Sequence, residues 1–159
     1  MIITLTADQL KMGAETGIGR RISALKNNRS SYHGYKSGKK DGSLPPWELD
    51  VQSSCAELAV AIALDKVDDW VRGVVESGPL PDVDILPNIQ VRYTERPDGR
   101  LIIYKDANPK HIYFLAIGET PTFEVKGYVY AKDAMEKEYW WEGARSPAYF
   151  FPQHLLSRS

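Results

Sequence analysis

The chain has 159 residues, 43% of them hydrophobic and 26% charged, a length that supports one buried core and is short for two. No apolar run approaches the roughly 20 residues that cross a bilayer, so neither a membrane span nor a membrane partner is expected. A formal net charge of −1 argues against a protein that coats nucleic acid by bulk electrostatics, and the lone Cys55 excludes an internal disulfide and fits a reducing, cytoplasmic compartment.

Thr6 followed by Ala7, Asp8 and Gln9 has the form of an N-cap with an amide three residues on. Leu10, Ala14, Ile18, Ile22 and Leu25 follow at helical spacing, which predicts a helix over residues 7 to 27. Gly13, Gly17 and Gly19 inside it each cost about 1 kcal/mol against alanine. They mark either a close approach of another backbone, the preferred reading, or a weak point. From Arg29 to Pro46 the composition turns to Ser, Gly, Lys and Tyr without periodicity, the pattern of a long loop.

Residues 48 to 66, ELDVQSSCAELAVAIALDK, read as a second helix whose C-terminal half is apolar nearly all round and must be buried on most sides. A short helical turn around Trp70 and Val74 is expected before the Gly78-Pro79 break. After Pro81 the pattern changes to β-branched or alternating runs at 83–85, 89–94, 100–105, 112–118, 122–130 and 148–152. Turn chemistry at Leu86-Pro87-Asn88, Arg96-Pro97-Asp98-Gly99, Ala107-Asn108-Pro109 and Glu119-Thr120-Pro121 separates them, and residues 131–139 form a brief helix or turn. Connections this short imply antiparallel neighbours. The expected architecture is a single α+β domain: a helical part at 1–78 packed on a mixed, mostly antiparallel sheet of about five strands at 79–159.

One zone is strongly basic. Arg20, Arg21, Lys26, Arg29, Lys36, Lys39 and Lys40 occur with no acid between them, either a solvated helix end running into a loop or a surface that tracks a nucleic-acid backbone.

Glu57 stands in the most apolar helix, followed directly by Leu58, Ala59, Val60, Ala61, Ile62, Ala63 and Leu64. A carboxylate buried there needs a cation or a metal, unless it occupies the one wet stripe of the helix. Asp82 and Asp84 open the sheet, and Gln90 and Arg92 share one strand face with Thr94 while Ile89, Val91 and Tyr93 take the other. A hairpin through Leu86-Pro87-Asn88 would set Asp82 or Asp84 beside Gln90, offering oxygen ligands for Mg²⁺ with a cation nearby to hold a phosphate. The plainer alternative is a polar, solvent-facing strand edge.

A helix carboxylate, Pro81-Asp82 before a strand, and an amide-any-base triplet at Gln90-Val91-Arg92 resemble the restriction-endonuclease-like PD-(D/E)XK nucleases, with glutamine at the acid position as in Mrr-like members. The resemblance covers roughly residues 50 to 117. It implies a restriction-endonuclease-like fold, metal ligation by Glu57, Asp82, Asp84 and Gln90 with Mg²⁺ or Mn²⁺, DNA as substrate, and a homodimer, since such folds often act as dimers. Two departures bear on activity: Gln90 replaces a carboxylate, and Arg92 replaces lysine and cannot shed its proton to act as a base. The wider sequence also resembles uncharacterised proteins of tailed phages and marine metagenomes, which suggests a bacterial host cytoplasm as its setting.

Other chemistry has little support. His33, His111 and His154 show no zinc spacing, and GIGRR at 17–21 lacks the preceding strand of a nucleotide-binding turn. Cys55 paired with His111 or His154 as a nucleophile is weighed against an inert buried thiol, and the inert thiol is preferred. Tyr139, Trp140, Trp141, Tyr149, Phe150 and Phe151 are either stacking platforms or core, and core is preferred. Two functions follow: a metal-dependent DNA nuclease using Glu57, Asp82, Asp84, Gln90 and Arg92, or a non-catalytic phage accessory protein that binds nucleic acid or another protein.

Overall fold

The Thr6 signal forms as read. Thr6 N–H donates to Gln9 Oε1 at 2.8 Å and Gln9 N–H donates to Thr6 Oγ1 at 3.2 Å, a reciprocal cap that starts helix α1 (Ala7–Lys26). This computed structural model describes residues 1–26, 46–73, 82–143 and 146–158. The predicted loop at 29–46 lies outside the described residues up to its last member, Pro46, which opens the second helix; Val74, Pro81 and the cations Arg29, Lys36, Lys39 and Lys40 also lie outside them.

Apolar residues at helical spacing ordinarily mark the core side of a helix. Here the rule holds only at the start, where Leu10 packs on the core: the buried positions of α1 are Gly13, Thr16, Gly17 and Ser23, while Ile18, Ile22 and Leu25 are 41%, 47% and 52% exposed. The cause is the closeness of the second helix, α2 (Pro46–Ala63). A Cβ on Gly13 would stand 2.6 Å from Cys55 Sγ, and one on Gly17 would stand 2.5 Å from the Asp50 carbonyl oxygen, so only glycine fits the seam at these two positions. Gly19 is different, because a Cβ there would meet nothing within 4 Å.

Helix α2 ends earlier than its composition suggests. Asp65 takes the left-handed conformation with φ 55°, and Lys66 N–H bonds back to the Ala61 carbonyl at 2.8 Å. That is a Schellman-type stop, and aspartate tolerates the geometry better than most residues. Cys55, Ala56, Leu58, Ala59, Val60 and Ala61 are essentially inaccessible, as an all-apolar helix requires.

The strands fall into two sheets rather than the one expected. The larger runs β1-β5-β4-β2, built from β1 (Ile2–Thr4), β2 (Ile89–Thr94), β4 (Ile112–Glu119) and β5 (Thr122–Tyr130). The smaller runs β3-β7-β6, built from β3 (Leu101–Tyr104), β6 (Trp140–Trp141) and β7 (Ala148–Phe151). The segment at 83–85 is not a strand; Ile85 makes only isolated bridges to Trp70 and Ile89. β2 and β4 pair in parallel, against the antiparallel expectation, because β3 leaves for the second sheet and the chain returns in the same direction. The β4–β5 hairpin is antiparallel as its short Glu119-Thr120-Pro121 connection demands.

Alternation on β2 and β4 assigns the faces. Ile89, Val91, Phe114 and Ala116 join α2 in one core, whereas Tyr113, Leu115 and Ile117 join Leu101, Ile103 and Phe151 in a second core between the sheets. The layers are therefore α1, α2, the four-stranded sheet and the three-stranded sheet. A short helix, α3 (Ala131–Ala134), follows β5 and packs its alanines into the second core. Tyr139, Tyr149 and Phe151 of the aromatic tail belong to that core, while Trp141 is 57% exposed.

Candidate functional site

Glu57 is 6% exposed, and its burial has a visible cause. Arg20, on the inward face of α1, donates from Nη1 to Glu57 Oε1 at 2.7 Å and from Nη2 to Oε2 at 2.8 Å. Trp70 Nε1–H donates to Oε2 at 3.0 Å. Arg20 also donates to the Val71 carbonyl at 2.8 Å and reaches Ser54 Oγ at 3.4 Å. The carboxylate is thus held by a planar fork and an indole, the geometry in which a buried anion is best compensated. Burial pulls the Arg20 guanidinium down in pKa, but the charge and hydrogen bonds of Glu57, with the charges of Asp84 and Asp50, outweigh it and hold the group above its ordinary value.

Asp84 lies at the free edge of β2. Its Oδ2 accepts the Val91 N–H at 2.7 Å, and its own N–H donates to the Ile89 carbonyl at 2.9 Å. Burial, with the charge of Glu57 adding to it, lifts the Asp84 carboxyl to about 7; the Val91 N–H, Arg92 and Arg20 pull the other way. Glu57 and Asp84 are therefore close enough for their charges to couple, the one pair among the predicted acids that the fold brings together.

The remaining predicted site residues go elsewhere. Asp82 is exposed; its backbone carbonyl accepts the Gln90 Nε2–H at 2.7 Å, so the expected neighbourhood of Asp82 and Gln90 exists, but through main chain. Gln90 and Arg92 stand on the β2 face turned toward the second sheet, opposite to the face that packs on α2 and Glu57. Arg92 Nε–H donates to the Ile102 carbonyl at 3.0 Å, and its guanidinium lies 4.9 Å from the Tyr113 ring centroid, so it ties the two sheets together. The donor set expected for a divalent cation is not assembled: among the described residues no group of three or more His, Cys, Asp or Glu is arranged to hold a metal ion.

The basic zone is likewise redirected. Arg20 is spent on Glu57, and Arg21 Nε–H donates to Asp50 Oδ2 at 2.6 Å, fastening α1 to α2; Lys26 is exposed, and the other cations lie outside the described residues. Cys55 is fully buried, and burial together with the charge of Glu57 pushes its thiol up to about 11, which makes it an inert packing group. Sequence reasoning missed Arg20 and Trp70 as the partners of Glu57. A signal was present, since a buried acid on one helix demands a cation and Arg20 sits on the other predicted helix, one residue from the Gly17–Gly19 stretch read as a close approach of another backbone.

Because folding raises the Asp84 pKa from its ordinary value near 4 to about 7, the folded protein binds more protons than the unfolded chain between those limits, and this group's contribution to stability falls as pH rises through them. Asp84→Asn keeps an acceptor for Val91 N–H and removes the charge. The variant is expected to gain stability over wild type by one to about 3 kcal/mol as pH is raised from about 5 to about 8. Denaturant melts of both proteins across that range check it, and parallel pH curves would sink the assignment.

Comparison with protein-family models, with curated proteins and with solved structures finds no match to this chain.

Proposed function

We propose that this chain is a non-catalytic accessory protein that binds a protein partner. The observation that carries the reading is the closure of Glu57: both carboxylate oxygens are engaged by Arg20 and one also by Trp70, while Gln90, which would have to join it around a cation, projects from the opposite face of β2. A catalytic acid needs a free oxygen for metal or water, and a structural acid does not. The withdrawal of Arg20 and Arg21 into the helix seam weakens the case for DNA, whose binding rests on free cations. The outward apolar residues of α1 favour a protein partner instead, since solvent-facing apolar ridges mark protein contacts more often than nucleic-acid ones.

The test is an incubation of wild-type protein with supercoiled plasmid and with single-stranded DNA, in Mg²⁺ and in Mn²⁺. No cleavage above a no-protein control is the expected result. Cleavage that is lost in Asp84→Asn would restore the nuclease reading.

A further inference from the structure

The outer face of α1 has the form of a helix-pairing seam that no other described residue covers. Lys11, Glu15, Ile18, Ile22 and Leu25 recur at alternating spacings of four and three, so they line one side of the helix, diametrically opposite Gly13, Thr16, Gly17 and Ser23, which face α2. Ile18, Ile22 and Leu25 are 41%, 47% and 52% exposed, consecutive along that line. Gly19 borders the same face. It costs about 1 kcal/mol of helix stability relative to alanine, and unlike Gly13 and Gly17 it has no neighbour that requires a glycine.

We propose that α1 pairs with α1 of a second copy of this chain, antiparallel, about a two-fold axis crossing the helix at the level of Gly19 and Arg20. The inference rests on the binding reading above and names its partner. The ridge is self-complementary in that arrangement and in no parallel one. Ile18 of each copy packs on Ile22 of the other, and Glu15 of each copy comes beside Leu25 and Lys26 of the other, an acid against a base at both ends. A parallel pair would instead set Glu15 against Glu15 and Lys11 against Lys11. The existing Lys11–Glu15 contact, 3.9 Å long between exposed groups, offers little resistance to the exchange. Ile18 and Ile22 set the distance between the two backbones, and antiparallel helix dipoles add to the attraction. Three aliphatic side chains a side make a small interface, so the dimer is a weak one, with a dissociation constant on the order of micromolar to millimolar.

Sedimentation velocity of the full chain, from low micromolar to near-millimolar concentration, is the experiment. Wild type is expected to pass from monomer to dimer across the series, and Ile18→Glu/Ile22→Glu to stay monomeric with an unchanged circular-dichroism spectrum, since both positions are exposed. Glu15→Lys alone and Lys26→Glu alone are each expected to weaken association several-fold, and the double swap Glu15→Lys/Lys26→Glu to recover it, which only the antiparallel register produces. A wild type that stays monomeric throughout, a dimer indifferent to Ile22→Glu, or a double swap weaker than either single one would overturn the proposal. None of these outcomes bears on DNA cleavage, which tests the non-catalytic reading separately.

Discussion

Glu57→Ala is expected to lower the unfolding free energy by about 3–5 kcal/mol, because it takes from Arg20 the one carboxylate bonded to its guanidinium in the seam between α1 and α2. The loss is larger than the packing of the missing methylenes alone would give. Arg20 loses two charge-assisted bonds, Trp70 loses its acceptor, and the guanidinium that remains is still anchored to the Val71 carbonyl and cannot easily swing to water. Arg20→Ala should cost a similar amount by stranding the carboxylate. Arg20→Met/Glu57→Met, which removes both charges and fills the space with apolar atoms, should cost far less than the two single losses summed. Urea denaturation of the four proteins measures the coupling. A Glu57→Ala variant within about 1 kcal/mol of wild type would mean that the carboxylate does not hold the helices together. The contrast with Asp84 is informative: one buried acid supports the fold, and the other, lifted to about 7 by burial and by its neighbour, works against it above neutrality.

Gly17→Ala should be nearly as damaging, against the helix propensity of the residue introduced. Alanine gains about 1 kcal/mol over glycine in a helix interior. At Gly17, however, the new Cβ would stand 2.5 Å from the Asp50 oxygen, 2.7 Å from its carbonyl carbon and 2.7 Å from Val51 Cα, all main-chain atoms of α2 that cannot rotate away. The helices must part, and the Arg21–Asp50 bond at 2.6 Å and the Arg20–Glu57 fork on either side of the contact stretch with them. A net loss of about 2–3 kcal/mol is expected. Gly19→Ala is the control, with open space around its Cβ and an expected gain of up to about 1 kcal/mol at concentrations where the chain is monomeric. Thermal melts of the two variants should move in opposite directions, and a Gly17→Ala protein as stable as wild type would contradict the close seam.

The elements themselves were legible wherever local chemistry decides them. The Thr6–Gln9 cap, the buried run after Ser54 and the strands at β2, β4 and β5 all follow from short-range patterns. The sheet partners did not, because nothing local says that Leu101–Tyr104 pairs with Ala148–Phe151 rather than with its sequence neighbours. The three residues of β1 and the two of β6 are too short to leave a periodic trace. Spacing also misled on the second half of α1, where Ile18, Ile22 and Leu25 mark the solvent side because small residues, Gly13, Thr16, Gly17 and Ser23, occupy the inner one. For the candidate site, the alternation on β2 correctly put Gln90 and Arg92 on one face, but which face meets α2 depends on tertiary packing. For Glu57 the pattern left burial and the one wet stripe of its helix open, and its pairing with Arg20 rested on a contact across 37 residues.

Calorimetric titration of Mg²⁺ and of Mn²⁺ into wild-type protein addresses the central claim most directly, since it asks whether the Glu57 and Asp84 oxygens are available. With Glu57 held by Arg20 and Trp70 and Asp84 bonded to Val91, no saturable binding is expected for either ion. Saturable binding of either ion that disappears in Asp84→Asn would contradict the account and return these acids to a metal site.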